Sequence, residues 1–134
     1  KVYEQACPLF VPLVESGIIC RDDQIVRLVV RRYLSTLKDE GIDTLILGCT
    51  HYPLLRDAIF DFMGENVALV DSGYETAVYA AKILKEQNLL NGDCTQKNPE
   101  FYVSDTPDGF ESVAGLFLGR NMEHKVTQID IEQY

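Results

Sequence analysis

Apolar and polar residues alternate along this chain with two distinct periods. Ile25, Val29, Tyr33 and Leu37 recur every four residues, with Val26, Val30 and Leu34 beside them. That spacing predicts an amphipathic helix. Asp22 or Asp23 can cap it, Arg27, Arg31, Arg32, Lys38 and Glu40 form its solvated face, and Gly41 ends it. Leu45–Leu47 is a short apolar run, expected to be a strand buried on both faces. Gly48 permits a tight turn, and Pro53 fits the first position of a helix carried on by Leu55, Ala58, Ile59, Phe62 and Met63, with Gly64 as its stop. Val67–Val70 reads as a second strand and Asp71-Ser72-Gly73 as a turn, before a helix marked by Thr76, Ala77, Ala80, Ala81 and Leu84. Phe101–Val103 is a third strand. Thr106 and Pro107 are expected to open a helix with the stripe Phe110, Val113, Ala114, Phe117 and Leu118, stopped by Gly119. Val126–Ile131 is the last strand, with Thr127, Ile129 and Ile131 on one side. Helices alternating with strands give an α/β fold with a mostly parallel sheet flanked by helices. Only residues 1–17 resist assignment. Pro8 and Pro12 interrupt an apolar run there, so a buried loop with short helical turns is expected.

Charge narrows the functions open to such a fold. The chain has 134 residues and a net charge of −9. A nonspecific nucleic-acid surface needs a basic face, and an anionic membrane repels an acidic one, so neither partner is expected. No apolar run approaches the length of a membrane span. Lys1–Glu15 holds two prolines and no uninterrupted apolar core, so no signal peptide is expected. The cysteines at positions 7, 20, 49 and 94 lack a disulfide framework or a CxxC pair, which fits a reducing, cytoplasmic compartment. Neither GxGxxG nor a P-loop occurs, and no pyridoxal site is visible, so no cofactor is expected.

The chemistry concentrates at Cys49, Thr50 and His51, between the end of a strand and the start of a helix. In open α/β sheets ligands bind at that edge. Free N–H groups and partial positive charge at a helix start favour a thiolate, and with the Thr50 hydroxyl they can hold a carboxylate. His51 can exchange protons with the thiol or a substrate. The plain alternative is a buried structural cysteine beside a cap. A zinc site is disfavoured, because Cys-x-His supplies two ligands and no second pair has usable spacing. Glu15 closes an apolar run and by pattern re-enters solvent. Cys7 packs as a small hydrophobe, Cys20 has no acid/base partner nearby, Cys94 falls in a polar loop, and His124 sits between charged neighbours.

The string GCTHYPLL is more specific than its spacing. It resembles the second catalytic-cysteine motif of bacterial glutamate racemases, in the aspartate/glutamate racemase family. The likeness extends to ACPLFVPLVESG, LVDSGYETA, FYVSD and FLGR. It implies cofactor-independent interconversion of L- and D-glutamate, supplying D-glutamate for peptidoglycan, by two thiols facing the substrate from opposite sides. Cys49 is then one acid/base thiol, Thr50 and His51 contact substrate, and Glu15 and His51 assist the thiol. Related aspartate racemases usually lack His-Tyr-Pro after Cys-Thr, so His51, Tyr52 and Pro53 favour glutamate.

One departure is large: the family's Cys-Asn-Thr motif, which carries the other thiol, is absent from this sequence. The chain is therefore expected to correspond to the C-terminal half of a racemase, to need the N-terminal half as partner, and to be inactive alone. By the same resemblance, residues 1–71 belong to the second α/β domain of a pseudo-symmetric pair and residues 72–134 return to the first. The helices of that returning segment are expected to expose apolar stripes, for which a second copy is one further partner. Competing expectations are a racemase of another acidic amino acid such as aspartate, a hydrolase with Cys49 as nucleophile and His51 as base, and a non-catalytic α/β module.

Overall fold

A computed structural model describes residues 1–92, 99–107, 109–119 and 126–133. Cys94 and His124 lie outside these residues. The chain divides into two compact units, Lys1–Leu90 and Asn91–Tyr134.

The first unit is built on α2 (Gln24–Asp39), preceded by the short α1 (Phe10–Glu15). Asp23 caps α2, its carboxylate accepting from the Ile25 N–H at 2.7 Å. Val26, Val30, Leu34 and Leu37 are its buried stripe, while Ile25 is exposed and Val29 and Tyr33 only half-buried. The inward face is thus rotated toward the second of the two apolar rows. Pro12 is tolerated inside α1 because it stands in the first turn, where no intrahelical N–H bond is due.

Strand β1 (Thr44–Leu47) leads through a 3-10 turn (Tyr52–Leu55) into α3 (Arg56–Met63), and then into β2 (Ala68–Asp71). β1 and β2 pair in parallel, Leu45 opposite Leu69 and Leu47 opposite Asp71. Leu45, Leu47 and Leu69 join one core with Phe10, Val14, the α2 stripe, Leu55, Ala58, Ile59, Met63 and Val67. The expectation of a strand buried on both faces fails: Leu47 is 2 % exposed but Ile46, on the opposite face, is 64 % exposed. Within the described residues only one face of this sheet is covered, so alternate residues meet the core and solvent.

Asp71-Ser72-Gly73 is a helix start rather than a free turn. The Asp71 carboxylate accepts from the N–H groups of Gly73 (2.9 Å) and Tyr74 (3.1 Å), capping α4 (Ser72–Glu86). An aspartate followed by helical φ/ψ satisfies two donors that would otherwise face water. No residue of α4 is buried, and Tyr74, Val78, Tyr79 and Leu84 are all exposed.

In the second unit β3 (Phe101–Val103) pairs in parallel with β4 (Val126–Gln128), and α5 (Phe110–Leu118) carries Phe110 against Phe101 at 6.3 Å between ring centroids. Thr106 does not cap α5. Its N–H is taken by the Asp105 carboxylate at 2.7 Å, Pro107 instead accepts from Phe110 in a turn, and Gly109 at φ +84° is the cap residue. β4 stops at Gln128, short of the expected Ile131, and its buried residue is Val126 rather than Thr127. Residues Ile131–Gln133 form a 3-10 turn in which the Asp130 carboxylate accepts from the Glu132 N–H at 3.0 Å.

Candidate active site

The first unit ends β1 at Leu47 and then turns the chain through Gly48, Cys49, Thr50 and His51. The turn closes by i to i+3 bonds: Tyr52 N–H donates to the Cys49 carbonyl at 3.2 Å and Leu54 N–H to the His51 carbonyl at 3.1 Å. Pro53 therefore stands second in a 3-10 turn, and the α-helix begins later than expected, at Arg56. The Tyr52 and Leu54 donors are spent inside the turn. The Thr50 side chain is exposed at the surface of this turn.

Cys49 and His51 are both half-buried. The thiol sulfur is 4.0 Å from His51 Nδ1, and the Thr50 hydroxyl oxygen is 3.2 Å from the same nitrogen. On the other side of the ring, His51 Nε2 is 3.5 Å from a Glu15 carboxylate oxygen. With the Nε2 proton turned toward Glu15, Nδ1 is the acceptor, facing both the hydroxyl and the thiol. Thiol, hydroxyl, imidazole and carboxylate thus form one chain of contacts. The Glu15 side chain remains about half exposed, so the pair orients the ring more than it stabilises the fold.

Glu15 arrives there because α1 is docked on the 3-10 turn. Tyr52 lays its ring edge-to-face on Phe10, with 5.1 Å between centroids, and its hydroxyl donates to the Cys7 carbonyl at 3.4 Å. Phe10 packs a second edge against Tyr33 of α2 at 5.6 Å. Burial at this junction pushes the Tyr52 hydroxyl above its usual pKa and the Cys7 thiol up to about 11. Cys7 is 4 % exposed and stays a protonated, apolar packing group, as expected.

Spacing did not reveal this docking. Tyr52 and Cys7 are 45 residues apart, and the only signal is an aromatic at the end of the turn motif. Cys20 is exposed and belongs to no such cluster. Among the described residues no group of three or more His, Cys, Asp or Glu side chains is placed to hold a metal ion. No helix among them is long and apolar enough to cross a membrane.

No protein-family model matches the chain. Curated relatives do. The glutamate racemase of Geobacter metallireducens is 47 % identical over 132 residues, covering 98 % of this chain and 48 % of its own. That of Neisseria meningitidis serogroup A is 49 % identical over 122 residues, covering 91 % and 44 %. A crystal structure of the Francisella tularensis glutamate racemase in complex with D-glutamate superposes with a TM-score of 0.84 at 36 % identity, over 100 % of this chain and 49 % of that one. The Thermus thermophilus glutamate racemase, solved in complex with β-chloro-D-alanine, gives 0.82 at 39 % identity, over 97 % and 48 %. The chain spans about half the length of the curated relatives it matches. In both sequence and fold it belongs to the glutamate racemase family, matching the C-terminal half of the family's members.

Proposed function

We propose that this chain supplies one of the two acid/base thiols of a cofactor-independent glutamate racemase, and that Cys49 is that thiol. The observation that carries the reading is the contact chain Cys49, Thr50, His51 and Glu15 at the end of β1, in a fold matching a racemase structure that contains D-glutamate.

Inverting a Cα centre requires a base on one face and an acid on the other. Cys49 takes the proton from L-glutamate, and a second thiol, supplied by the half of the enzyme that this chain does not match, protonates the opposite face. Both thiols reverse roles for D-glutamate. His51 accepts or returns the Cys49 proton through Nδ1, and Glu15 holds the ring by its Nε2. The Thr50 hydroxyl and the turn N–H groups bind a substrate carboxylate. Preorganised hydrogen bonds and exclusion of water supply the carbanion stabilisation that a pyridoxal ring gives elsewhere. The product serves peptidoglycan synthesis in the cytoplasm. In the intact enzyme residues 1–71 lie in one domain and residues 72–134 return to the other.

The test is Cα–H exchange in deuterated water, followed by proton NMR, in an enzyme joining this chain to the N-terminal half of a relative. Deuterium should enter at Cα of both enantiomers without any acyl-enzyme mass. Exchange equal to that of a Cys49→Ser control would remove Cys49 from the reaction, and a stable acyl adduct on Cys49 would replace racemisation with thiol hydrolase chemistry.

A further inference from the structure

Two donors compete for one nitrogen of His51. Its Nε2 lies 3.5 Å from the Glu15 carboxylate, which holds the ring proton on that side and makes Nδ1 the acceptor. Nδ1 is 3.2 Å from the Thr50 hydroxyl oxygen and 4.0 Å from the Cys49 sulfur. A neutral imidazole nitrogen offers a single lone pair, so a full hydrogen bond goes to the hydroxyl or to the thiol, not to both. The distances favour the hydroxyl, with the thiol as the outlying neighbour.

The two competitors differ in access. Thr50 is exposed, whereas Cys49 and His51 are half-buried. A hydroxyl carries a single proton, so an acceptor that arrives from solvent takes it away from the imidazole. An ionised carboxylate is such an acceptor, because its charge-assisted bond to a hydroxyl is roughly twice as strong as a neutral one.

We propose that the Thr50 hydroxyl gates the Cys49 thiol. In the empty site it occupies His51 Nδ1 and the thiol keeps its proton; a substrate carboxylate opens the gate by drawing the hydroxyl proton to itself. Nδ1 then takes the Cys49 proton. The S–H bond breaks and an N–H bond forms, leaving a thiolate beside an imidazolium whose other N–H faces the Glu15 carboxylate. The thiolate, which is the reactive form, is thus made when a carboxylate is present, and the empty site is guarded against alkylation and oxidation. The identity of the carboxylate rests on the racemase reading above; the competition for Nδ1 rests on the turn alone.

Alkylation of the 134-residue chain by iodoacetamide near neutral pH tests the gate. Mass spectrometry reads modification of Cys49, with the exposed Cys20 as internal reference. Thr50→Val replaces the hydroxyl by a methyl group of similar size. It should speed alkylation of Cys49 about fivefold, the factor that one ordinary hydrogen bond is worth, and leave Cys20 unchanged. Thr50→Ser keeps the hydroxyl and should hold the slow rate. In a His51→Asn background Thr50→Val should change nothing, because the contested nitrogen is gone. No acceleration by Thr50→Val overturns the gate. So does an equal acceleration in the His51→Asn background, which would make the effect one of access to the thiol. The carboxylate is tested by ¹⁵N spectra of the chain mixed with a polypeptide covering the N-terminal half of the Geobacter metallireducens relative. D-glutamate should move the Cys49 amide and the His51 Nδ1 resonance together, and the Nδ1 movement should be absent from Thr50→Val. A Cys49 amide that moves while Nδ1 stays, or no movement of either, removes the carboxylate as the trigger. Racemisation is measured on the same mixture. Faster alkylation of Thr50→Val without racemisation leaves the competition for Nδ1 standing and removes the proposed activity. Racemisation without faster alkylation does the reverse.

Discussion

Truncating Phe10 should loosen both the fold and the candidate site, because this side chain joins α1, α2 and the turn that follows Cys49. It is 1 % exposed and makes edge-to-face pairs with Tyr33 and Tyr52 at 5.6 and 5.1 Å. Replacing a buried Phe by Ala costs about 3–5 kcal/mol, within which each aromatic pair accounts for roughly 0.5–1.5 kcal/mol. Against a typical domain stability of about 5–15 kcal/mol, that is a large fraction. With a urea slope of about 2 kcal/mol per molar, the midpoint should fall by roughly 1.5–2.5 M. Phe10→Leu keeps most of the volume and loses the ring pairs, for about 1–2 kcal/mol. Because the chain forms two compact units, a single global probe would mix their transitions. Pulse alkylation of Cys7, read by mass spectrometry, reports the unit that contains Phe10, since that thiol is buried beside it. In a racemase carrying this chain, Phe10→Ala should also lower turnover, and adding Glu15→Gln should cost little more, because the first change has already released α1. A midpoint shift for Phe10→Ala no larger than that for Phe10→Leu would refute the argument.

Other outcomes follow from single contacts. Asp23→Ala removes the α2 cap and should cost about 1 kcal/mol in the same unfolding assay, against a few tenths for Asp23→Gly. Glu15→Gln and His51→Asn should each slow the L-to-D direction mainly through turnover number with smaller changes in KM, while Glu15→Gln shifts stability by less than about 1 kcal/mol; progress curves in both directions check this. The buried Cys7 thiol has its pKa raised from 9.0 to about 11, so the unfolded state loses its proton first. Its contribution to stability should be complete below pH 9 and fall as pH rises toward 11, and Cys7→Ala should flatten that slope in urea titrations.

Much of this architecture was written in local pattern. The α2 stripe, the β1 turn and the Gly64 and Gly119 stops depend on neighbours within a few residues, and they formed nearly as expected. The failures have separate causes. Ile46 has the composition of a doubly buried strand residue, yet nothing among the described residues covers its face of β1, and it is 64 % exposed. By pattern Asp71 belongs to a turn, and its cap role shows only once Ser72 is helical. Thr106 has no cap role because α5 starts only at Phe110, with Gly109 as its cap. The site divides in the same way. Cys49, Thr50 and His51 are contiguous and visible. The meeting of Glu15 with His51 depends on Phe10 and Tyr52 docking across the fold, which no periodicity encodes; by pattern Glu15 belongs to solvent, and only family resemblance pointed inward. In the structure it is both, half exposed and 3.5 Å from the imidazole.

Cys49 is proposed as one thiol of a two-thiol reaction. Circular dichroism of L-glutamate tests it most directly, with the 134-residue chain alone, with a separately produced N-terminal half, and with that half plus Cys49→Ser. The signal should stay stable with the chain alone, decay toward zero with both halves, and not decay with the variant. Decay with the chain alone, faster than with Cys49→Ser alone, would show a second base within these residues and contradict it.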